Sequence, residues 1–581
     1  MSISHPFRAL LSLAAVAVSI QGSVAQEPGR LGGTAPDLDA VRSALSAEVP
    51  GQEWEAESWA AAGRANLEAL LAAALGSGNA PPLDPGLRAT SLVPDELVWT
   101  AHGNLRIVDA GEAPESELLP RNAAELLTLV RDWDRVLGEG DRRTHWHVER
   151  TRMGSDSFDL RVHLEHASGP RSVTGGWMAR FALEESVPAK ARLLELRRTS
   201  FHAAASTSPR YVDATDETFG GPVLQRQLDP GLDAWRRTID PSFGLGLLGH
   251  HGLAVGDLNG DGLEDVYLCQ PGGLPNRLFL GGPGRSVEAA ALVGIDILDA
   301  SSSALILDLD GDADQDLVLV AHEFVSIFEN PGAGPFQEVG RYPAPSSMSV
   351  AGADTDLDGD VDLFICGYSS PYSGDALPAP YYDAINGQAN LFLRNVGGLS
   401  FVDATDESGL GFEAERYSFS AAFEDFDADG DPDLYVANDF GANAFYINDG
   451  QGGFAERAAE FGVRDIAAGM GVTWADFDGD GWSDLYVSNM FSSAGGRITG
   501  QAGFQAGADD EVRALFQRHA RGNSLFLSDR GRGFRDASEE SGAGSGGWAW
   551  GGLAVDFSCD GLADLVVPNG FVSGAAGGPD L

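Results

Sequence analysis

The 581-residue chain carries 86 Asp and Glu against 38 Lys and Arg, a net charge of −48. That balance argues against nucleic acid and anionic lipid as partners, because both need cationic surface, and the length exceeds one ordinary core. Three cysteines, Cys269, Cys366 and Cys559, cannot form a disulfide framework, and the 75 glycines are too aperiodic for collagen and point to many tight turns.

Residues 1–25 read as a signal peptide. Arg8 supplies the positive start, ALLSLAAVAVSI the apolar run, and Ser23-Val24-Ala25 a small-residue cleavage site. No later stretch qualifies as a spanning helix. The expectation is an exported protein: periplasmic, at the cell surface or secreted. Residues 26–95 read as a helical and linker region, with Trp54, Trp59, Leu67, Leu70, Leu71 and Leu75 at helical spacing and a linker at Gly76–Gly86. An α+β domain over 96–204 follows. It opens with a helix at Asn122–Gly138, capped by Asn122 and stopped by Gly138. From Thr144 the pattern alternates through THWHVERTRM, SFDLRVHLEHA, VTGGWMARFALEE and ARLLELRRTSF, an antiparallel meander. At the level of fold alone, helix followed by curved meander resembles nuclear-transport-factor-2-like cones.

Residues 205–581 are repetitive. DLNGDGLED begins at Asp257, DLDGDADQD at Asp308, DTDLDGDVD at Asp354, DFDADGDPD at Asp425, DFDGDGWSD at Asp476 and DFSCDGLAD at Asp556. The shorter intervals define a unit of about 50 residues, the range of propeller blades. A small apolar strand precedes each loop (GLAVGD, GVTWAD) and an apolar strand follows it (LYVAN, LYVSN). A third strand often starts with Asn (NRLFL, NLFLRN, NAFYIN, NSLFL), and a fourth segment resembles FVDATDESG at Phe401. The fold class expected is mainly β: a β-propeller preceded by a smaller α+β domain. The loop count favours six blades, with seven as the alternative. YVDATDETFG at Tyr211, ahead of the first loop, would complete the last blade.

Oxygen-bearing side chains fall at the first, third, fifth and ninth positions of each loop. The candidate metal ligands are Asp257, Asn259, Asp261 and Asp265; Asp308, Asp310, Asp312 and Asp316; Asp354, Asp356, Asp358 and Asp362; Asp425, Asp427, Asp429 and Asp433; Asp476, Asp478, Asp480 and Asp484; and Asp556, Ser558, Asp560 and Asp564. Calcium takes six to eight oxygens and tolerates uneven geometry, whereas magnesium demands a stricter octahedron, so several structural Ca²⁺ ions are expected. A helix–loop–helix site would need a Glu at the twelfth position; Leu268, Leu319, Ile365, Val436, Val487 and Val567 stand there, in strand-like sequence. Glycine is usual at the sixth position, but Ala313 replaces it in the second loop, where strain is expected. Ser558 makes the sixth loop the weakest. An acidic turn without metal is the bland alternative, and six equivalent catalytic pairs make little sense.

The repeat D-x-[DN]-x-D-G-x-x-D followed by an apolar strand resembles the FG-GAP/VCBS repeats of integrin-α-type propellers. With N-x-L-F-x-N, F-x-D-x-T and WAWGGLAVDF it resembles bacterial relatives of cartilage acidic protein, the ASPIC/UnbV group. The resemblance covers about residues 205–570. It implies an extracellular calcium-stabilised propeller used for binding, adhesion or scaffolding, with calcium ligands at the positions above and no catalytic residue. Larger members carry a further C-terminal domain, not expected in this sequence.

The two long insertions, 368–389 and 490–521, join second to third strands and so fall opposite the acidic loops. They are the candidate surface for a protein or glycan ligand. The first holds Tyr368, Tyr372, Tyr381 and Tyr382; the second holds a helix with Arg513, Phe516, Arg518 and Arg521. An extracellular carbohydrate- or phosphoester-active enzyme is the alternative, for which Arg416, Tyr417 and His519 are the residues to inspect. His145, His147, His163 and His166 alternate on two strands and read as satisfied strand histidines before a zinc site.

Overall fold

The computed structural model of the chain describes residues 53–568 except 103–104, 139–141, 155, 169–170, 183–190, 207–212, 236–237, 240–250, 369–377, 379–382, 492–494, 497–498, 501–503, 505–506, 545, 548 and 558–560. The signal-peptide reading therefore lies outside the described residues. The chain forms two compact units: residues 1–210 with 493–513, and residues 211–492 with 514–581. No helix among the described residues is long and apolar enough to cross a membrane.

In the first unit, α1 (Glu53–Ala74) and α2 (Ala123–Arg135) share a core with one sheet. The sheet runs in the order β2-β3-β8-β7-β6-β5, from β2 (Thr100–His102), β3 (Leu105–Ala110), β5 (Arg143–Met153), β6 (Ser157–Ser168), β7 (Arg171–Ala182) and β8 (Arg192–Ser206). The alternation read from the sequence is the burial pattern of β6, whose every second residue is buried. Asn122 starts α2 with a capping box: its side chain accepts from Glu125 N–H at 3.0 Å, and the Glu125 carboxylate accepts from Asn122 N–H at 2.8 Å.

The expectation of a separate region over 26–95 needs correction for its described part. Trp59, Leu67, Leu70 and Leu71 pack in the same core as Leu126, Val130 and Trp133. Part of the expected linker is β1 (Leu83–Ala89), paired in parallel with β8 and antiparallel with β4 (Leu119–Pro120). The physical reason is that Leu87 and Ala89 alternate into the core, while Gly86 N–H, bonded to the Asp84 carboxylate, absorbs the register shift.

Among the described residues, the second unit holds five four-stranded antiparallel sheets and a sixth of two strands. The inner strands are Leu253–Gly256, Ser301–Leu307, Ser347–Ala353, Ser418–Glu424, Gly469–Ala475 and Leu553–Val555, and successive ones pack side by side. Each acidic loop joins an inner strand to a second strand, and those of the second to fifth sheets (Asp316–Ala321, Asp362–Gly367, Asp433–Asn438, Asp484–Asn489) are buried along their whole length. Strands covered on both faces explain why they read as unbroken apolar runs. The FVDATDESG element splits: Phe401–Asp403 is a fourth strand and a tight turn follows. At its upstream copy, Tyr211 and Val212 lie outside the described residues, and Thr215–Thr218 is a single helical turn.

Candidate metal centre

Each acidic loop is wound by its own carboxylates. In the fourth, Asp425 accepts from Asp429 N–H (3.1 Å) and Gly430 N–H (3.1 Å); in the fifth, Asp476 accepts from Asp480 N–H (3.1 Å) and Gly481 N–H (2.9 Å). The first and third loops repeat this through Asp257 and Asp354. The fifth-position carboxylates accept from the seventh N–H, as Asp429 does from Asp431 and Asp480 from Trp482. In the second to fifth loops such turns bring three carboxylates together.

The bend needs left-handed backbone twice. The sixth position has φ +82° at Gly262, +99° at Gly359, +101° at Gly430 and +89° at Gly481. Ala313 is held at φ +76°, so the strain expected there is present. The fourth position, which sequence reasoning passed over, is also left-handed: Gly311 and Gly479 sit there comfortably, while Leu357 and Ala428 are both held at φ +60°.

The ninth aspartate does two jobs. Its carboxylate is buried and grips the second residue of its own loop and the far end of the third strand. Asp265 accepts from Leu258 N–H (3.0 Å) and Gly281 N–H (2.7 Å), and Asp484 from Phe477 N–H (2.9 Å) and Ser528 N–H (2.7 Å). Asp433 differs: Asn448 N–H reaches one oxygen at 2.8 Å, and the other is buried without a hydrogen-bond partner. Burial, with Asp427, Asp431 and Asp429 adding repulsion, pushes Asp433 up to about 8. Burial likewise pushes Asp316, and Asp431 at the seventh position of the fourth loop, up to about 6, and raises Asp484.

Four loops bring three carboxylates each to within 4.8 Å of one another: Asp308, Asp310 and Asp316; Asp354, Asp356 and Asp358; Asp425, Asp427 and Asp429; Asp476, Asp478 and Asp484. Asp312, Asp362, Asp433 and Asp480 stand outside those triplets, as do the carboxylates of the first loop. Ser558 and Asp560 of the sixth loop lie outside the described residues; Asp556 there accepts from Gly561 N–H at 2.9 Å. The all-oxygen donor set suits a hard cation. Buried oxygens of Asp427, Asp431 and Asp433 with no protein donor are the groups a cation would satisfy.

The remaining candidates resolve into structural roles where they are described. Arg416 is buried and pairs with Asp383 and Glu413, anchoring the end of the first insertion, and Gly387 N–H bonds Glu415 C=O at 3.0 Å. Tyr372, Tyr381 and Tyr382 lie outside the described residues, and Tyr368 is buried, donating to Asp439 at 2.8 Å. In the second insertion, Arg518 bonds Asp465 (2.7 Å) and Arg521 bonds Asp536 (2.9 Å), so these arginines fasten α3 (Asp510–His519) rather than stand free for a ligand. Tyr417 is fully buried, and burial drives His519 down to about 4. His166 is buried between Asp134 (2.8 Å) and Thr144 (2.7 Å), a satisfied core histidine; the side chains of His145 and His147 lie outside the described residues. Sequence reasoning quoted Asn395 and Asn448 within the third-strand motif but gave them, and Asn330, no role at the ends of third strands. Their signal was an Asn followed two residues later by Gly, in NPG, NVG and NDG.

Residues 308–365 and 425–487, spanning the second to third and fourth to fifth loops, match the FG-GAP-like repeat family. The chain carries FG-GAP-like repeats. It is homologous to cartilage acidic protein 1: 24% identical over 347 residues to that of Homo sapiens, covering 55% of this chain and 47% of the relative, and 23% identical over 347 residues to that of Mus musculus, covering 55% and 48%. The chain thus spans about half the length of the curated relatives it matches. Among solved structures it is similar to the V. cholerae biofilm matrix protein Bap1 (13% identity, 49% of this chain and 38% of that chain, TM-score 0.27). It is also similar to an M. tuberculosis LEH-like epoxide hydrolase (16%, 25% and 84%, TM-score 0.15).

Proposed function

We propose that this is an exported, calcium-stabilised six-bladed propeller protein that serves as a non-catalytic binding, adhesion or scaffold module. The observation that carries the reading is the convergence of Asp425, Asp427 and Asp429 in the fourth loop, beside buried, donorless oxygens of Asp427, Asp431 and Asp433. Carboxylates packed this closely repel one another unless a cation stands among them. Calcium would be held by the first-, third-, fifth- and ninth-position side chains, and it would supply charge compensation and rigidity, not chemistry.

Closure of the ring is part of the same proposal. The turn after a fourth strand supports the start of the next sheet's fourth strand: Val293 C=O accepts from Phe336 N–H (2.9 Å) and Ser408 C=O from Phe454 N–H (2.7 Å). Thr218 C=O accepts from Ser286 N–H (2.8 Å), just before the first sheet's fourth strand, Val287–Glu288. Thr215–Thr218 thus stands where the turn of a preceding blade would stand. This supports the segment at Tyr211 as the outer strand that completes the two-stranded sixth sheet.

A ligand bound only by the folded state must stabilise it, by about 2.7 kcal/mol at a hundredfold excess over Kd. Differential scanning calorimetry of the chain in calcium and in chelator tests the reading. A rise of several degrees in Tm with calcium is expected, and coincident melting curves would refute it. The ligand class is tested by deleting 369–382, expected to weaken glycan or protein binding without lowering Tm.

A further inference from the structure

The acidic loops are wired to one another. In the first three loops the second residue faces two ways: its N–H is bonded to the ninth aspartate of the same loop, and its C=O is taken by the next sheet. Leu258 N–H reaches Asp265 at 3.0 Å while its C=O accepts from the Asn330 side-chain amide at 2.8 Å. Asn330 backbone N–H in turn reaches Asp316, the ninth residue of the second loop, at 2.9 Å. The step repeats. Leu309 N–H reaches Asp316 (3.2 Å), Leu309 C=O accepts from the Asn395 amide (3.2 Å), and Asn395 N–H reaches Asp362 (2.8 Å). Thr355 N–H reaches Asp362 (3.3 Å), Thr355 C=O accepts from the Asn448 amide (2.8 Å), and Asn448 N–H reaches Asp433 (2.8 Å). The amide orientation of all three asparagines is set from the other side, because each Oδ1 accepts from a turn glycine: Gly332, Gly397 or Gly450.

The relay runs from Asp265 to Asp433 and stops, first because the second oxygen of Asp433 takes no hydrogen bond from Phe426 N–H. In the fifth sheet the position of the asparagine is Ser528. Its backbone N–H reaches Asp484 at 2.7 Å, but its hydroxyl is turned to Gly531 N–H at 3.1 Å. Among the described residues no hydrogen bond joins that hydroxyl to the fourth loop.

We propose that cation binding in the first four loops is cooperative, transmitted from loop to loop by Asn330, Asn395 and Asn448 acting as positioning residues, and that the fifth loop binds independently. The inference rests on the calcium reading above. A cation in one loop fixes its ninth carboxylate and its second peptide. That orders the asparagine of the next sheet and holds the next ninth carboxylate ready, so the next cation meets a site already in place. All three asparagines are buried, which keeps water from substituting for the bonds.

The test is calcium titration of the chelator-stripped full chain by isothermal calorimetry. The wild type should show one cooperative phase, with a Hill coefficient above one, and one simple phase that is lost in D478N. N395S, which installs the residue the fifth sheet already carries, should split the cooperative phase and weaken part of it on the order of tenfold. An N395S isotherm that superimposes on the wild type would overturn the inference while leaving the calcium reading intact. Absence of any binding heat in the wild type would overturn both.

Discussion

The fourth and fifth loops, DFDADGDPD and DFDGDGWSD, are nearly one sequence, yet they are embedded differently. In the fifth, the ninth aspartate is fully engaged by Phe477 and Ser528 and the left-handed fourth position is Gly479. In the fourth, Asp433 keeps a buried oxygen without a donor, Ala428 is forced left-handed, and Asn448 ties the sheet to the third loop. The difference teaches that one acidic motif does not by itself set how completely its carboxylates are satisfied by the protein. The ninth carboxylate of the fifth loop is satisfied by backbone donors, and that of the fourth is not.

Removing the ninth carboxylates should separate the two most strongly. D484A leaves two half-buried N–H groups without acceptors and should destabilise the chelator-treated protein by about 2–5 kcal/mol, whereas D433A strands only the buried Asn448 N–H and should cost about 1–3 kcal/mol. Urea denaturation in chelator measures both, and equal losses would break the comparison. The pH dependence comes next. Asp433, at about 8 when folded, holds its proton longer than it does unfolded, so its contribution is present below the unfolded value near 4 and is lost as pH rises through 8. Asp316 and Asp431 act in the same direction up to about pH 6. The metal-free Tm should therefore fall between pH 5 and pH 8. Calcium or D433N should flatten that slope, and D484N should flatten it less.

Much of this architecture was legible in the sequence, and the parts that were not share a physical cause. The helix capped at Asn122, the meander from Thr144 and the second strands after each loop were visible because periodicity and capping are local. The strain at Ala313 was visible because the sixth position demands left-handed backbone. The strand at Leu83–Ala89 was hidden by Pro85 and Gly86, which read as linker, while its partner β8 lies about a hundred residues downstream. The asparagine relay was hidden for the same reason: Asn395 bonds Leu309, in a different repeat, and no single repeat contains both ends. Arg416 and Arg518 looked available for a ligand because Asp383 and Asp465, which engage them, lie in other segments of the chain.

Smaller substitutions sharpen the contrast at the backbone. A428G should stabilise the protein by about 1 kcal/mol, since a side chain in left-handed backbone carries a cost of that order. G479A should destabilise it by somewhat more, because the added Cβ would also meet Leu562 at 2.8 Å. Thermal melts of both variants check the pair. The smallest effect expected is from R530Q, which removes an exposed guanidinium 3.7 Å from Asp480; stability should change by under about 1 kcal/mol, with calcium affinity of the fifth loop slightly raised.

The most direct test of the central claim, that the acidic loops seat cations, is native mass spectrometry of the full chain with calcium. The account predicts at least four bound Ca²⁺ ions, one for each converging carboxylate triplet, with D427N and D478N each losing one and the D427N/D478N double variant losing two. A wild-type mass without bound calcium, or an ion count unchanged in those variants, would contradict it.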